Sequence, residues 1–536
     1  MKMNGLGFYS GDKVPNRTKW MYSTTAVGRD ASYVLVSLFL LTYIQYSGIL
    51  TPGGDTTSYI QMFGVISGLV IGYRIFDALN DPFMGVVIEK CHFKHGKYKP
   101  WILIGALSNA AVVYCLFIVP QYVPALQGWG YVWWFAIFYF LWGITYTMND
   151  IAYWSMLPSL TSEEKQRASI TTLMAIFCSV GQFVVAGLVP IISGSFGYQS
   201  SYRVITYSVL AVFLILQIVL YFFAPEHERD IAEENKHDVP KFRDMFDILK
   251  QNDQAKWITI IFLIYYTSAG ILNALGINYF YFAVNYTVGA AVMTYFTVVY
   301  GVGVIFAQFL FPVLNKKFTR VKLWNICIIV NIVGYISFFV YGLPLGNGAY
   351  LSASPFNAGG GLNILYMIPL FLIGLAIFSS QGVMGLMLIM MMANTIEYNE
   401  WKFGERKEAI IFSLRPLTAK FSSAIQQGVL YLFLIISGLM TIVSSISSYQ
   451  QTLALGGSLP ADINALCDAA TAQASASSVW IYKLGVAVLP MLLLVVTYIL
   501  VKKHYTIDEK TYSNICSEIK KRKADQKEVE NKVDIK

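Results

Sequence analysis

The sequence predicts an all-α membrane protein: twelve transmembrane helices in two six-helix bundles, with both termini cytoplasmic. Composition is the first sign. Only 13% of the 536 residues are charged, 56% are hydrophobic and 15% are aromatic, whereas a soluble domain carries about a quarter charged residues. Apolar runs are the second, many of about 18 residues or more, long enough to cross a hydrocarbon core of ~30 Å. Backbone groups in lipid must bond internally, and these runs are too long for barrel strands, so they are helices. The third is the gathering of Lys and Arg in alternate loops.

In order, the runs fall at 24–46, 59–88, 100–119, 129–156, 168–194 and 202–224, then at 256–284, 288–313, 323–343, 362–393, 410–440 and 478–501. A polar segment containing EHERDIAEENKH separates the two sets. Its FRDMFDILK stretch reads as a short amphipathic helix at the membrane surface, with Phe242, Met245, Phe246 and Leu249 on one face. The expected organisation is a bundle over 1–224, a linker over 225–255, a second bundle over 256–501 and a tail over 502–536. Gly64, Gly68 and Gly72 recur at four-residue spacing, a pattern that lets helices approach closely. Residues 441–477 read as a long outer loop rich in Ala and Ser.

Orientation follows from the basic residues. Lys2, Lys13, Arg17 and Lys19 precede the first span, and Lys90, Lys94, Lys97 and Lys99 follow the second. Lys316, Lys317, Arg320 and Lys322 stand at the matching place after the eighth, and Lys402, Arg406 and Lys407 after the tenth. The alternate loops contain neither Lys nor Arg. The net charge of +8 therefore reflects membrane sidedness, and no nucleic-acid partner is expected. The first 22 residues are polar and mixed, so the first span is expected to serve as an uncleaved insertion signal. Of the six cysteines only Cys467 falls in an outer loop, which implies no disulfide framework. Basic loops at equivalent places in the two halves fit the repeated halves of a major facilitator fold.

Ionisable residues at membrane depth are costly and usually face a cavity or a partner. The first span carries Arg29 and Asp30, and the fourth carries Asp150. Arg74, Asp77 and Asp81 in the second span are spaced i, i+3 and i+7 and share one helical face. Arg415 and Lys420 lie in the eleventh, and Lys420 reads as the only lysine well inside a span. Small cations need oxygen ligands. Asp77, Asp81, the Asn80 amide and the Thr147 hydroxyl offer them, so these four are the candidate Na+ site. Two carboxylates left empty repel each other and one takes up a proton, so the same site accommodates Na+ or H+. Asp30 and Asp150 are candidates for accepting hydrogen bonds from sugar hydroxyls, with the rings of Tyr146 and Trp154 as a platform. A buried ammonium needs an acidic neighbour, so Lys420 is expected beside Asp77, Asp81 or Asp150 across a central cavity. The plainer reading of Arg74 is an ion pair with Asp77.

GYRIFDALNDPFMGVVIEK…HGKYKPWILIGA, then LWGITYTMNDIAYWSMLPSLT and EYNEWKFGERKEAIIFSLRPLTAKFSSA, together resemble the glycoside–pentoside–hexuronide:cation symporters, a melibiose permease-like family of the major facilitator superfamily. The resemblance runs from about Gly28 to the last span. It implies a cation site at Asp77, Asn80, Asp81 and Thr147, and a sugar site at Asp30 and Asp150 with Arg29, Tyr146 and Trp154. It implies a coupling role for Lys420. Three positions depart from the family's pattern: Ala175 stands where it has arginine, Gly385 where it has tryptophan and Asn394 where it has aspartate. The cation machinery is expected intact and the sugar pocket reshaped.

The function expected is cation-coupled sugar or glycoside symport by alternating access, in a monomer at the bacterial cell membrane. No cofactor is expected beyond the coupling ion, Na+ or H+. One alternative is a carrier of lipid-like solutes, for which the methionines of the tenth span would supply a greasy path. Another is a non-transporting nutrient sensor, which would need a signalling domain larger than the tail after Val501. No HExxH, GxSxG or Walker-type motif points to an enzyme.

Overall fold

The computed structural model describes residues 8–9, 14–51, 54–91, 93, 96–161, 164–193, 197–224, 226–227, 242–342, 344–346, 349–350, 353–357, 360–405 and 407–533. Apart from two two-stranded ladders and isolated bridges, it is helical. The first half comprises α1 (Asn16–Tyr46), α2 (Thr56–Lys90), α3 (Lys99–Phe117), α4 (Trp129–Leu160), α5 (Glu164–Ser193) and α6 (Tyr198–Phe223). A short helix follows, α7 (Phe242–Gln251), and then α8 (Asp253–Ala283), α9 (Tyr286–Lys317), α10 (Arg320–Val340), α11 (Ile364–Phe403) and α12 (Glu408–Ile436). After α13 (Met440–Ala454) and α14 (Ile463–Thr471), the last apolar helix α15 spans Ala476–His504, and α16 (Glu509–Val533) follows it.

Local chemistry sets many boundaries. The Asp55 carboxylate accepts from the backbone N–H groups of Thr57 and Ser58 at the start of α2. Asn252, Asn285 and Asn363 cap α8, α9 and α11 in the same way. Gly404 ends α11 at φ 77°, a left-handed turn that favours glycine. Among the described residues, eleven helices are long and apolar enough to cross a membrane. At 32 residues α4 is also long enough, but its many Trp and Tyr side chains lower its hydropathy. Those rings suit the membrane interface all the same.

Within the first half α1 packs on α5 and α6, and α4 on α2 and α3; within the second α8 packs on α12 and α15, and α11 on α9 and α10. The halves meet along two seams, α2 against α12 and α5 against α9. The close approaches to α1 are made by glycines outside the expected series. A Cβ on Gly28 would lie 2.7 Å from the Phe213 Cα, and one on Gly181 would strike the Val27 carbonyl oxygen, so these two let α6 and α5 press on α1. Of the four-residue series only Gly64 is in such contact, with Tyr431, while Gly68 and Gly72 face open space.

One further expectation is corrected. The segment 441–477 is no open loop, because α13 and α14 fill most of it and α13 packs on α1 and α2 as well as on α14. Its Ser and Gln side chains bond the other half: Gln450 accepts from the Tyr198 backbone N–H, and the Ser447 and Thr51 hydroxyls lie 3.3 Å apart. The α7 helix forms as expected, but it packs against α8 and α12. Ile248 is its buried residue, whereas Phe246 is exposed. Residues 228–241 of the linker, with most of EHERDIAEENKH, lie outside the described residues, as do the side chains of Phe242 and Met245.

Candidate functional site

The face of α2 read from the sequence turns inward at the seam with α12. Lys420 Nζ lies 3.1 Å from Asp77 Oδ2 and 2.6 Å from Asp81 Oδ2. It also donates to the Asp77 backbone carbonyl at 3.2 Å. On the other side, the Thr147 hydroxyl reaches Asp77 Oδ1 at 3.2 Å and Asp81 Oδ1 at 3.3 Å. The two carboxylates thus converge on one spot, which the Lys420 ammonium occupies. Their four oxygens, the Asp77 carbonyl and the Thr147 hydroxyl form the hard oxygen set a small cation needs. Asn80 is buried but forms no hydrogen bond to this cluster among the described residues, and its Nδ2 has no partner. Arg74 does not neutralise Asp77 by an ion pair; it lies over the Trp142 ring, 5.5 Å from the centroid.

The second cluster surrounds Arg29, which is 2% exposed. Its Nη2 and Nε donate to Asp30 Oδ2 at 2.7 and 3.1 Å, and its Nη1 lies 3.1 Å from Asp150 Oδ1. The guanidinium sits between the rings of Tyr153 and Trp154, at 4.4 and 5.2 Å from their centroids. Tyr146 joins a ring stack with Tyr33 and Trp142. Gln182, which the sequence reading did not single out, donates to the remaining Asp30 oxygen at 2.8 Å. Asp30 is therefore engaged on both oxygens and buried, whereas the Asp150 side chain is 31% exposed and Trp154 is 44% exposed. Of the two carboxylates, Asp150 is the one free to meet a solute. Nothing local to its own helix marks Gln182 apart from other polar residues in α5; only the packing of α5 on α1 gives it a partner.

Lys420 has Asp77 and Asp81 as neighbours, not Asp150. Nor is it the only lysine inside a span. Lys483 in α15 is fully buried, donating to the Tyr341 carbonyl at 2.6 Å and lying 5.0 Å from the Tyr279 ring centroid. Arg415 is exposed and bonds the Tyr266 hydroxyl. Met384, Met387, Met391 and Met392 are buried core residues.

Spaces lie between the halves. A cavity of about 240 Å³ lies between α1 and α5 on one side and α8 and α9 on the other, bordered by Tyr33, Gln182, Asn273 and Tyr300. Beyond Phe183, which packs edge-on against Tyr300, a cleft of about 1180 Å³ opens between α5 and α9 toward Arg167 and Phe309. Ala175 lies on this cleft's wall. Gly385 leaves its space to the Tyr265 hydroxyl. At the opposite end, whose loops carry no Lys or Arg, the halves interlock: Tyr46 bonds Asn278, the Tyr198 and Tyr281 hydroxyls lie 3.2 Å apart, and Gln450 accepts from the Tyr198 backbone N–H. One end is closed and the other open.

A family profile described as MFS/sugar transport protein matches residues 21–509. The raffinose carrier protein of Pediococcus pentosaceus is 27% identical over 435 residues, covering 79% of this chain and 64% of that protein. The lactose permease of Lactobacillus delbrueckii subsp. bulgaricus is 27% identical over 445 residues, covering 80% of this chain and 65% of that protein. The chain thus spans a little under two thirds of the length of these relatives. Its fold is similar to that of a bacterial homologue of the human lysosomal transporter Spinster, crystallised in an inward-facing and unoccupied conformation. The TM-score is 0.54 at 10% identity, over 91% of this chain and 97% of that one.

Proposed function

This chain belongs to the MFS/sugar transport protein family, and on that premise we propose that it carries a sugar or glycoside across the bacterial cell membrane together with a monovalent cation, Na+ or H+. The observation that carries the coupling is the convergence of Asp77, Asp81 and Thr147 on the Lys420 ammonium. A cation entering between the carboxylates competes with that ammonium for the same oxygens. Occupancy therefore changes how firmly α2 holds α12 across the two halves. Asp150, Trp154, Arg29 and Tyr146 form the sugar's platform, and Asp30 with Gln182 holds the guanidinium in place beneath it.

The architecture is that of twelve spans, α4 being the one of low hydropathy, in two six-helix bundles over 1–224 and 256–501 joined by a linker over 225–255. The basic loops place both termini and the 502–536 tail in the cytoplasm. The closed end then faces outward and the cleft between α5 and α9 opens inward, one of the two states that alternating access requires. The protein works as a monomer, since each half completes the other's site within one chain. Proteoliposomes holding the purified protein test this reading. Addition of raffinose, lactose and a panel of glycosides and pentosides should drive Na+ or H+ inward for at least one of them. No ion movement with any sugar, at rates of sugar entry above empty vesicles, would reduce the protein to a uniporter.

A further inference from the structure

At the basic end of the second half a cavity of about 490 Å³ lies between the start of α10, the end of α15 and the first residues of α16. One wall is apolar, made by Val321, Trp324, Met387 and Met391; the other carries Arg320, Lys502 and Lys510. Asp508 and Glu509 also line it, but both are committed to helix starts. Asp508 accepts from the Thr511 backbone N–H at 2.7 Å, and the Thr511 hydroxyl and N–H together hold its carboxyl below the usual carboxylate range. Glu509 accepts from the Arg320 backbone N–H at 2.8 Å.

The Arg320 guanidinium has no such commitment to a carboxylate. With the Asn394 amide turned to donate to the Met390 carbonyl, its oxygen accepts from Arg320 Nη1 at 2.9 Å. Nη1 also donates to the Ile507 carbonyl at 3.4 Å; both partners are neutral, and Nε is buried with no hydrogen-bond partner. Arg320 opens one apolar span and Lys502 lies two residues from the end of another, so these cations stand at the level where lipid gives way to water. Val321 is 65% exposed, and the cavity therefore opens sideways, toward the surface that faces lipid. A soluble anion would leave the apolar wall wet, and an apolar solute would leave the cations unanswered. We propose that this cavity binds an anionic phospholipid, its phosphate against Arg320 and Lys502 and one acyl chain along Val321 and Trp324. The bound lipid braces the tail helix α16 against α10.

The test is lipid retention and thermal stabilisation of the full-length protein in detergent, with dioleoyl-phosphatidylglycerol and dioleoyl-phosphatidylcholine as probes. The anionic lipid should be retained about tenfold more tightly, and should raise the melting temperature where the neutral lipid does not. Arg320→Gln with Lys502→Gln should abolish the preference, and Lys316→Gln with Lys317→Gln, on the same face outside the cavity, should leave it unchanged. Because Arg320 also holds Asn394, Lys502→Glu with Lys510→Glu serves as a second variant and should lose the preference without that bond being touched. Equal retention of the two lipids, or equal loss in the Lys316 and Lys317 variant, overturns the site. Stabilisation of the same size by inorganic phosphate alone overturns the lipid as its occupant.

Discussion

Lys420 Nζ and Asp81 Oδ2 stand 2.6 Å apart although 339 positions separate them in the chain. Their contact joins α12 to α2, and with Asp77 it places one positive charge against two negative ones. The excess negative charge is what the proposed coupling cation would answer. A lysine and a cation cannot both hold the same oxygens in full, so binding of one loosens the other.

Asp77→Asn or Asp81→Asn should abolish uptake against a concentration gradient while leaving sugar exchange measurable. Each removes a charged ligand from the proposed cation site and leaves the helix intact. Wild-type accumulation in both variants, measured with labelled sugar in energised vesicles, would remove the pair from coupling.

Lys420→Ala should cost about 1–3 kcal/mol of stability, since it strands two half-buried carboxylates at close range. Combining it with Asp81→Asn should recover part of that loss. A double-mutant cycle on detergent melting temperature reads the coupling, and strict additivity would mean that the contact contributes nothing.

Asp150→Ala and Asp30→Ala should part company. Loss of Asp150 should weaken apparent sugar affinity about ten- to a hundredfold, the effect of one or two charged hydrogen bonds. Loss of Asp30 should appear mainly as poor expression and a lower melting temperature, because its oxygens serve Arg29 and Gln182. Equal affinity losses with equal stability would show that both carboxylates touch the sugar.

Lys483→Met offers a control for Lys420. It deletes a donor to the Tyr341 carbonyl and should lower stability by about 1–2 kcal/mol, yet the cation-to-sugar ratio should not change. A changed ratio in flux measurements would bring Lys483 into the coupling machinery.

Thr51→Cys with Ser447→Cys places two thiols where two hydroxyls now lie 3.3 Å apart. Oxidation should lock the closed end and stop transport, and reduction should restore it. Transport undiminished after complete cross-linking would mean that this end need not open.

That the chain is built from long apolar helices was legible in the sequence because partition between water and lipid depends on local composition. The shared face of Asp77 and Asp81 was legible because helical periodicity is also local. Side-chain commitments were not. Asp30 and Asp150 look alike in sequence, yet α5 delivers Gln182 to one and leaves the other half-open. Asn80 lies between the two aspartates in sequence, yet it is buried with its Nδ2 unpartnered and shares neither Thr147 nor Lys420 among the described residues. Gly28 and Gly181 matter more than the regular Gly64 series, since only the packing of α1 decides which backbone comes close. The polar 441–477 segment reads as loop in isolation and folds into helices against α1, α2 and α9. What decides these cases lies far along the chain, and only the packing of helix on helix sets which side chains and backbones meet.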